Sequence, residues 1–94
     1  MAVTHTVQRL EIRGYVQGVG YRWAMVEQAE RLGVRGWVRN RRDGSVEAMV
    51  AGAPDAVRQM IDWARHGPRG AAVTRVDTFP GEGAFDAFEP LPTA

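Results

Sequence analysis

The sequence predicts a single α+β domain in which two helices cover one face of a small antiparallel sheet of four or five strands. Three observations carry that prediction. Apolar residues recur at every second position in four stretches and at every third or fourth in two others. The segments follow the order β-α-β-β-α-β, and glycine, proline or Asp-Gly turns separate them. Ninety-four residues are enough to bury one core without disulfide or metal staples.

The first strand runs from Thr6 to Arg13, where Gln8, Leu10 and Ile12 alternate with Arg9, Glu11 and Arg13, the pattern of a strand covered on one side. The stretch Gly14-Tyr15-Val16-Gln17-Gly18-Val19-Gly20-Tyr21-Arg22 then hands the strand over to a helix through three closely spaced glycines. In that helix Tyr21, Met25, Ala29 and Leu32 form an apolar stripe, and Gly33 ends it. Residues 34–41 return to period two, with Val34, Gly36, Val38 and Asn40 on one face and Arg35, Trp37, Arg39 and Arg41 on the other.

Asp43-Gly44 signals a hairpin turn, after which Val46, Ala48 and Val50 face the core. Pro54 suits the first turn of the second helix and Asp55 complements its dipole, while Val57, Met60, Ile61 and Ala64 make its stripe. Gly67-Pro68 stops it. Val73 to Phe79 alternates imperfectly as a fourth strand, and Phe85 to Glu89 offers a short fifth strand that Pro90 and Pro92 oppose. We expect one domain over residues 1–94, with frayed ends at about 1–5 and 90–94.

This order is the split βαβ, or ferredoxin-like, arrangement. A right-handed crossover makes the first two strands parallel, so their C-terminal ends share one edge of the sheet. Arg22 and Asn40, eighteen residues apart, are thereby expected to face one pocket.

Composition narrows the chemistry. Without cysteine there is no disulfide, thiolate nucleophile or Cys-ligated metal. His5 and His66 have no ligand company in the sequence, so no metal site is expected. The net charge is +1, every basic residue is arginine, and no segment approaches the length of a membrane span. Met1 to His5 lacks the basic start and apolar run of a leader. These features favour a cytoplasmic protein that binds neither nucleic acid nor membrane, and a monomer is expected.

The glycine stretch reads as an anion cradle. Successive N–H groups of such a loop can line a concavity at a helix N-terminus, and Arg22 in the first turn can grip a phosphate from the side. The group expected to hold phosphate is therefore Gln17, Gly18, Val19, Gly20, Tyr21 and Arg22, with Gln17 acting through its backbone. A phosphate-binding P-loop is excluded, because that motif needs lysine; a dinucleotide fingerprint is excluded because Trp23 stands where its third glycine belongs. The cradle stretch also holds no serine, cysteine, histidine or carboxylate to act as nucleophile or base.

The string ending in Arg22, followed by Leu32-Gly33-x-x-Gly36-Trp37-Val38-x-Asn40 and by Asp43-Gly44-Ser45-Val46-Glu47, resembles the acylphosphatase family. The resemblance extends from about residue 7 to about residue 89. It implies a small, cofactor-independent hydrolase that cleaves the carboxyl-phosphate bond of acyl phosphates to a carboxylate and inorganic phosphate. It further implies two catalytic residues, Arg22 binding phosphate and Asn40 orienting the attacking water.

An asparagine amide takes no proton near neutral pH, so we expect water to attack phosphorus directly. Activated phosphates are then favoured, because their leaving carboxylate is stable without a proton. The alternative is a non-catalytic anion-binding or RNA-binding module on the same scaffold, suggested by Arg35, Trp37, Arg39 and Arg41 sharing one strand face. The lack of aromatics on the strand from Ser45 to Val50 argues against RNA.

Overall fold

In the structure, a computed structural model that describes residues 5–94, the chain forms β1 (Thr6–Tyr15), α1 (Tyr21–Leu32), β2 (Arg35–Asn40), β3 (Val46–Gly52), α2 (Pro54–Ala64), β4 (Ala72–Pro80) and β5 (Phe88–Leu91). The strands form one sheet in the order β4-β1-β3-β2-β5. β3 runs antiparallel to both of its neighbours, which leaves β1 and β2 parallel with their C-terminal ends at one edge.

The expected antiparallel sheet is corrected at its far side, where β5 pairs parallel to β2 and makes the sheet mixed. The cause lies in the connection. β4 ends beside the start of β1, with the Gly81 N–H on the Val7 carbonyl, and β5 begins beside the start of β2, with the Gly36 N–H on the Ala87 carbonyl. Residues 81–87 therefore cross the sheet along the edge where β1 and β2 begin. Four strand spacings of about 4.8 Å lie within the reach of an extended chain at about 3.3 Å per residue. A strand starting from that edge can only run in the direction of β2.

The fifth strand thus forms, three residues later than the sequence suggests, and it passes through Pro90. An edge strand tolerates this because one of its sides has no ladder to complete. Residues 90–94, expected as a frayed tail, carry the end of β5 and further main-chain hydrogen bonds. The Ala94 N–H donates to the Asn40 carbonyl and the Ala94 carbonyl accepts from the Arg42 N–H, both at 3.0 Å. The expected frayed start falls mostly on residues 1–4, outside the described residues.

The core lies between the helices and one sheet face. Leu10 and Ile12 of β1, Val38 of β2, and Val46, Ala48 and Val50 of β3 meet Met25 and Ala29 of α1 and Val57, Met60 and Ala64 of α2, all buried. The Val34 N–H reaches back to the Ala29 carbonyl at 2.8 Å and closes the end of α1. The imperfect alternation of β4 has a local cause: Arg13 pairs with Arg75 and Gly14 with Val73, so Thr74 is an extra residue in a bulge. No helix among the described residues is long and apolar enough to cross a membrane.

The open face of the sheet is held by charge. Glu47 is 5% exposed and accepts hydrogen bonds from Arg39 Nε at 2.8 Å, and from Arg41 Nη1 and Arg9 Nη1 at 3.1 Å. Burial disfavours its charged form, but Arg39, Arg41 and Arg9 outweigh that and hold the carboxyl below the usual range. Arg39 also stacks over Trp37 and Arg9 over Phe79. The arginines of this face are largely engaged with Glu47 and their neighbours, not free to receive a polyanion.

A depressed folded-state pKa contributes stability at pH values above the unfolded one and loses it as pH falls through the folded one. Glu47→Gln should therefore lower stability at pH 7 by about 1–3 kcal/mol, discounted because the arginines reach solvent. The difference from wild type should shrink as pH falls from neutral through the lowered folded-state pKa of Glu47, below which both side chains are neutral. Urea unfolding midpoints of the two proteins across that pH range are the check.

Candidate active site

Between the end of β1 at Tyr15 and the start of α1 at Tyr21, the chain turns from strand to helix in residues 16–20. Gly18 and Gly20 make that turn with φ of 75° and 77°, in the left-handed region that side chains resist. A Cβ on either would meet nothing within 4 Å, so conformation and not crowding selects glycine there. Gly20 caps α1 without a side-chain hydrogen bond, and no acidic residue stands in the first turn. None of the main-chain N–H groups of residues 17 to 23 donates to a carbonyl or side chain among the described residues. The loop therefore offers a row of unspent donors beside the positive end of a twelve-residue helix.

A cavity of about 190 Å³ lies against this loop. Val16, Gly18 and Gly20 line it from the loop, Tyr21, Arg22 and Trp23 from the first turn of α1, and Asn40 from the end of β2. Arg22 Nη1 donates to the Leu91 carbonyl of β5 at 3.0 Å, and no carboxylate among the described residues lies within ion-pair distance of it. The guanidinium is thus oriented by a neutral partner and keeps its whole charge for a ligand. Asn40 is half-buried, its backbone pairs with Val46, and its side-chain amide makes no hydrogen bond to a described residue.

Gln17 works differently from its sequence reading. Its side-chain Nε2 donates to the Arg41 carbonyl at 2.7 Å and the Ser45 carbonyl at 2.9 Å, the two residues that close the β2–β3 hairpin through the Arg41 N–H on Ser45 O. The side chain, rather than the backbone alone, shapes the loop. Neither Gln17 nor Val19 lines the cavity; Val19 packs partly buried against the core.

Tyr21 is 2% exposed, its hydroxyl donates to the Ala64 carbonyl at 2.7 Å, and its ring tilts against Trp63 at 5.5 Å. Burial pushes its phenol well above the usual tyrosine range, so it is neither base nor nucleophile. It fixes the start of α1 onto the end of α2. Val16 and Trp23 are the lining residues that sequence reasoning passed over, and of the two only Trp23 is exposed. Its signal was a tryptophan in the first helical turn that has no place in the Tyr21, Met25, Ala29, Leu32 stripe.

Residues 8–90 match the profile of the acylphosphatase family. An acylphosphatase of Albidiferax ferrireducens is 58% identical over 81 residues, covering 86% of this chain and 88% of the relative. One of Azoarcus sp. is 50% identical over 93 residues, covering 96% of this chain and 93% of the relative. Among solved structures, an acylphosphatase from Coxiella burnetii is similar with a TM-score of 0.90 at 30% identity, covering 94% of both chains.

The Gln17 clamp can be tested on its own. Gln17→Ala should lower unfolding stability by about 1–3 kcal/mol. Gln17→Glu should cost more, because it turns a carboxylate with no proton toward two carbonyl oxygens. Urea midpoints of the two variants at neutral pH decide; equal values would place the Gln17 amide outside the support of the loop.

Proposed function

The chain belongs to the acylphosphatase family and is a hydrolase, and on that premise we propose that water attacks phosphorus directly, with Arg22 and the loop amides holding the phosphoryl group and Asn40 placing the water. One observation carries this reading: Arg22 and Asn40, on separate elements eighteen residues apart, line the same cavity as Gly18 and Gly20. The phosphoryl oxygens would take up the unspent N–H groups of the loop, and Arg22 would match two of them with its planar fork.

The residues around the cavity restrict the mechanism. Its lining holds no serine, cysteine, histidine or carboxylate, so a covalent intermediate has no nucleophile and the lining alone supplies no metal-ligand set. The Asn40 amide can accept a hydrogen bond from the water and orient a lone pair at phosphorus, but it cannot keep the proton. The water oxygen forms the new P–O bond while the bridging P–O bond breaks and its electron pair leaves with the carboxylate. Both water protons finish on the phosphate oxygens or in solvent.

No general acid is required, because the leaving carboxylate is stable as an anion. An alkyl phosphate would expel an alkoxide, which needs one. Catalysis then consists of positioning and charge stabilisation, which is what phosphoryl transfer chiefly asks of a protein. The substrate is accordingly a small acyl phosphate, and we take the enzyme to be a cytoplasmic monomer that works without cofactor.

Phosphate release from a small acyl phosphate, measured with a chelator present, tests these roles. Wild type should turn over under those conditions. Arg22→Ala loses a charge-assisted contact worth about 1.5–3 kcal/mol even before the transition state, so KM should rise and kcat should fall. Asn40→Ala should lower kcat by roughly 10² while affinity for inorganic phosphate stays close to wild type. Near-normal turnover of Asn40→Ala would remove that residue from the mechanism.

A further inference from the structure

Among the residues around the cavity, Trp23 has no duty in the fold. Its indole is 65% exposed and lies off the buried set Tyr21, Met25, Val26 and Ala29 of α1. It pairs with none of the aromatic rings or arginines that stack elsewhere among the described residues. The other large apolar lining residues, Val16 and Tyr21, are 1% and 2% exposed and so form walls rather than contact surfaces. Gly18 and Gly20 carry no side chain, and Arg22 and Asn40 are polar. Trp23 is the lining side chain whose apolar face a ligand can cover, and large aromatic faces left in water at a binding cavity are surfaces for recognition.

We propose that Trp23 is the platform for the acyl group, so that the enzyme selects acyl phosphates with an aromatic or long aliphatic acyl part over acetyl phosphate. The proposal rests on the site reading given above and goes beyond it, since that reading fixes only the phosphoryl end of the substrate. In an in-line displacement the leaving carboxylate lies across phosphorus from the attacking water. With the phosphoryl group against the loop and Arg22, and the water on Asn40, the acyl part extends out of the cavity at its solvent-facing rim, which is where Trp23 stands exposed. An acyl group lying on the indole withdraws apolar surface of both from water. The bonds that form and break are those of the hydrolysis already described; Trp23 takes no part in them and acts on substrate affinity.

Steady-state hydrolysis of acetyl phosphate and benzoyl phosphate by wild type, Trp23→Ala, Trp23→Phe and Trp37→Ala tests this. Wild type should show the higher kcat/KM on benzoyl phosphate. Trp23→Ala should cut the benzoyl-to-acetyl ratio of kcat/KM by about tenfold, chiefly through KM for the benzoyl compound. Trp23→Phe should keep most of the ratio, and Trp37→Ala, on the open face of the sheet, should keep all of it. Should Trp23→Ala fold poorly, Trp23→Gln removes the aromatic face while keeping a good helix former in place. A ratio within about twofold of wild type in the folded variant, with both compounds still hydrolysed, overturns the role of Trp23 and leaves the mechanism standing. A wild-type chain that hydrolyses neither compound overturns the mechanism, and this inference with it.

Discussion

The side-chain amide of Gln17, shared between the carbonyls of Arg41 and Ser45, is the contact on which the geometry of the cavity depends. Arg22 follows β1 and Asn40 ends β2, but those strands are not neighbours, because β3 lies between them. Parallel direction brings both ends to one edge of the sheet and leaves a strand's width to bridge. Gln17 bridges it by reaching over the start of β3 to the residue after Asn40 and to its hairpin partner. A glutamine suits this because one NH₂ group carries two protons for two carbonyls. Gly18 and Gly20, which follow it, let the loop take its shape, and the glutamine decides where that shape sits.

β5 completes the site from the other side. Its Leu91 carbonyl fixes the Arg22 guanidinium, and the segment beyond it returns Ala94 to the Asn40 carbonyl. The strand with the weakest signal in the sequence thus steadies both residues that the sequence singled out. Its pairing with β2 places that carbonyl at the cavity because the chain enters β5 from the edge opposite the cavity and runs toward it. A strand antiparallel to β2 would have carried its last residues away from Arg22.

Most of the scaffold was legible because it rests on local periodicity and punctuation. The alternation of Leu10 and Ile12, the α1 stripe from Tyr21 to Ala29, the cap at Gly33 and the Asp43-Gly44 turn each follow from a few adjacent residues. The convergence of Arg22 with Asn40 was legible as well, through the handedness of the crossover and the face shared by Val38 and Asn40. What stayed hidden depends on distant partners. Nothing near Gln17 says that its amide will meet Arg41 and Ser45, and nothing near Pro90 says that its strand will lie at an edge where a missing N–H is harmless. Thr74 blurred β4 because a bulge is defined only against the opposing strand. Trp23 was overlooked for the opposite reason: attention to the buried stripe discounts an aromatic residue that lies off it.

The chain's basic residues are all arginine, so residue type alone cannot say which of them binds an anion. The fold sorts them by partner. On the open face Arg9, Arg39 and Arg41 converge on the buried carboxylate of Glu47, and the attraction is spent in joining β1, β2 and β3. Arg22 lies on the helix-bearing side, held by a carbonyl that orients the guanidinium without cancelling its charge. Its surroundings add unspent N–H groups and a helix end with no acid in its first turn, and both favour a negative ligand. A carboxylate placed beside Arg22 would hold it as firmly as the Leu91 carbonyl does, but it would compete with the phosphoryl oxygens for the same donors. Orientation by a neutral acceptor is the arrangement that leaves the guanidinium both fixed and available.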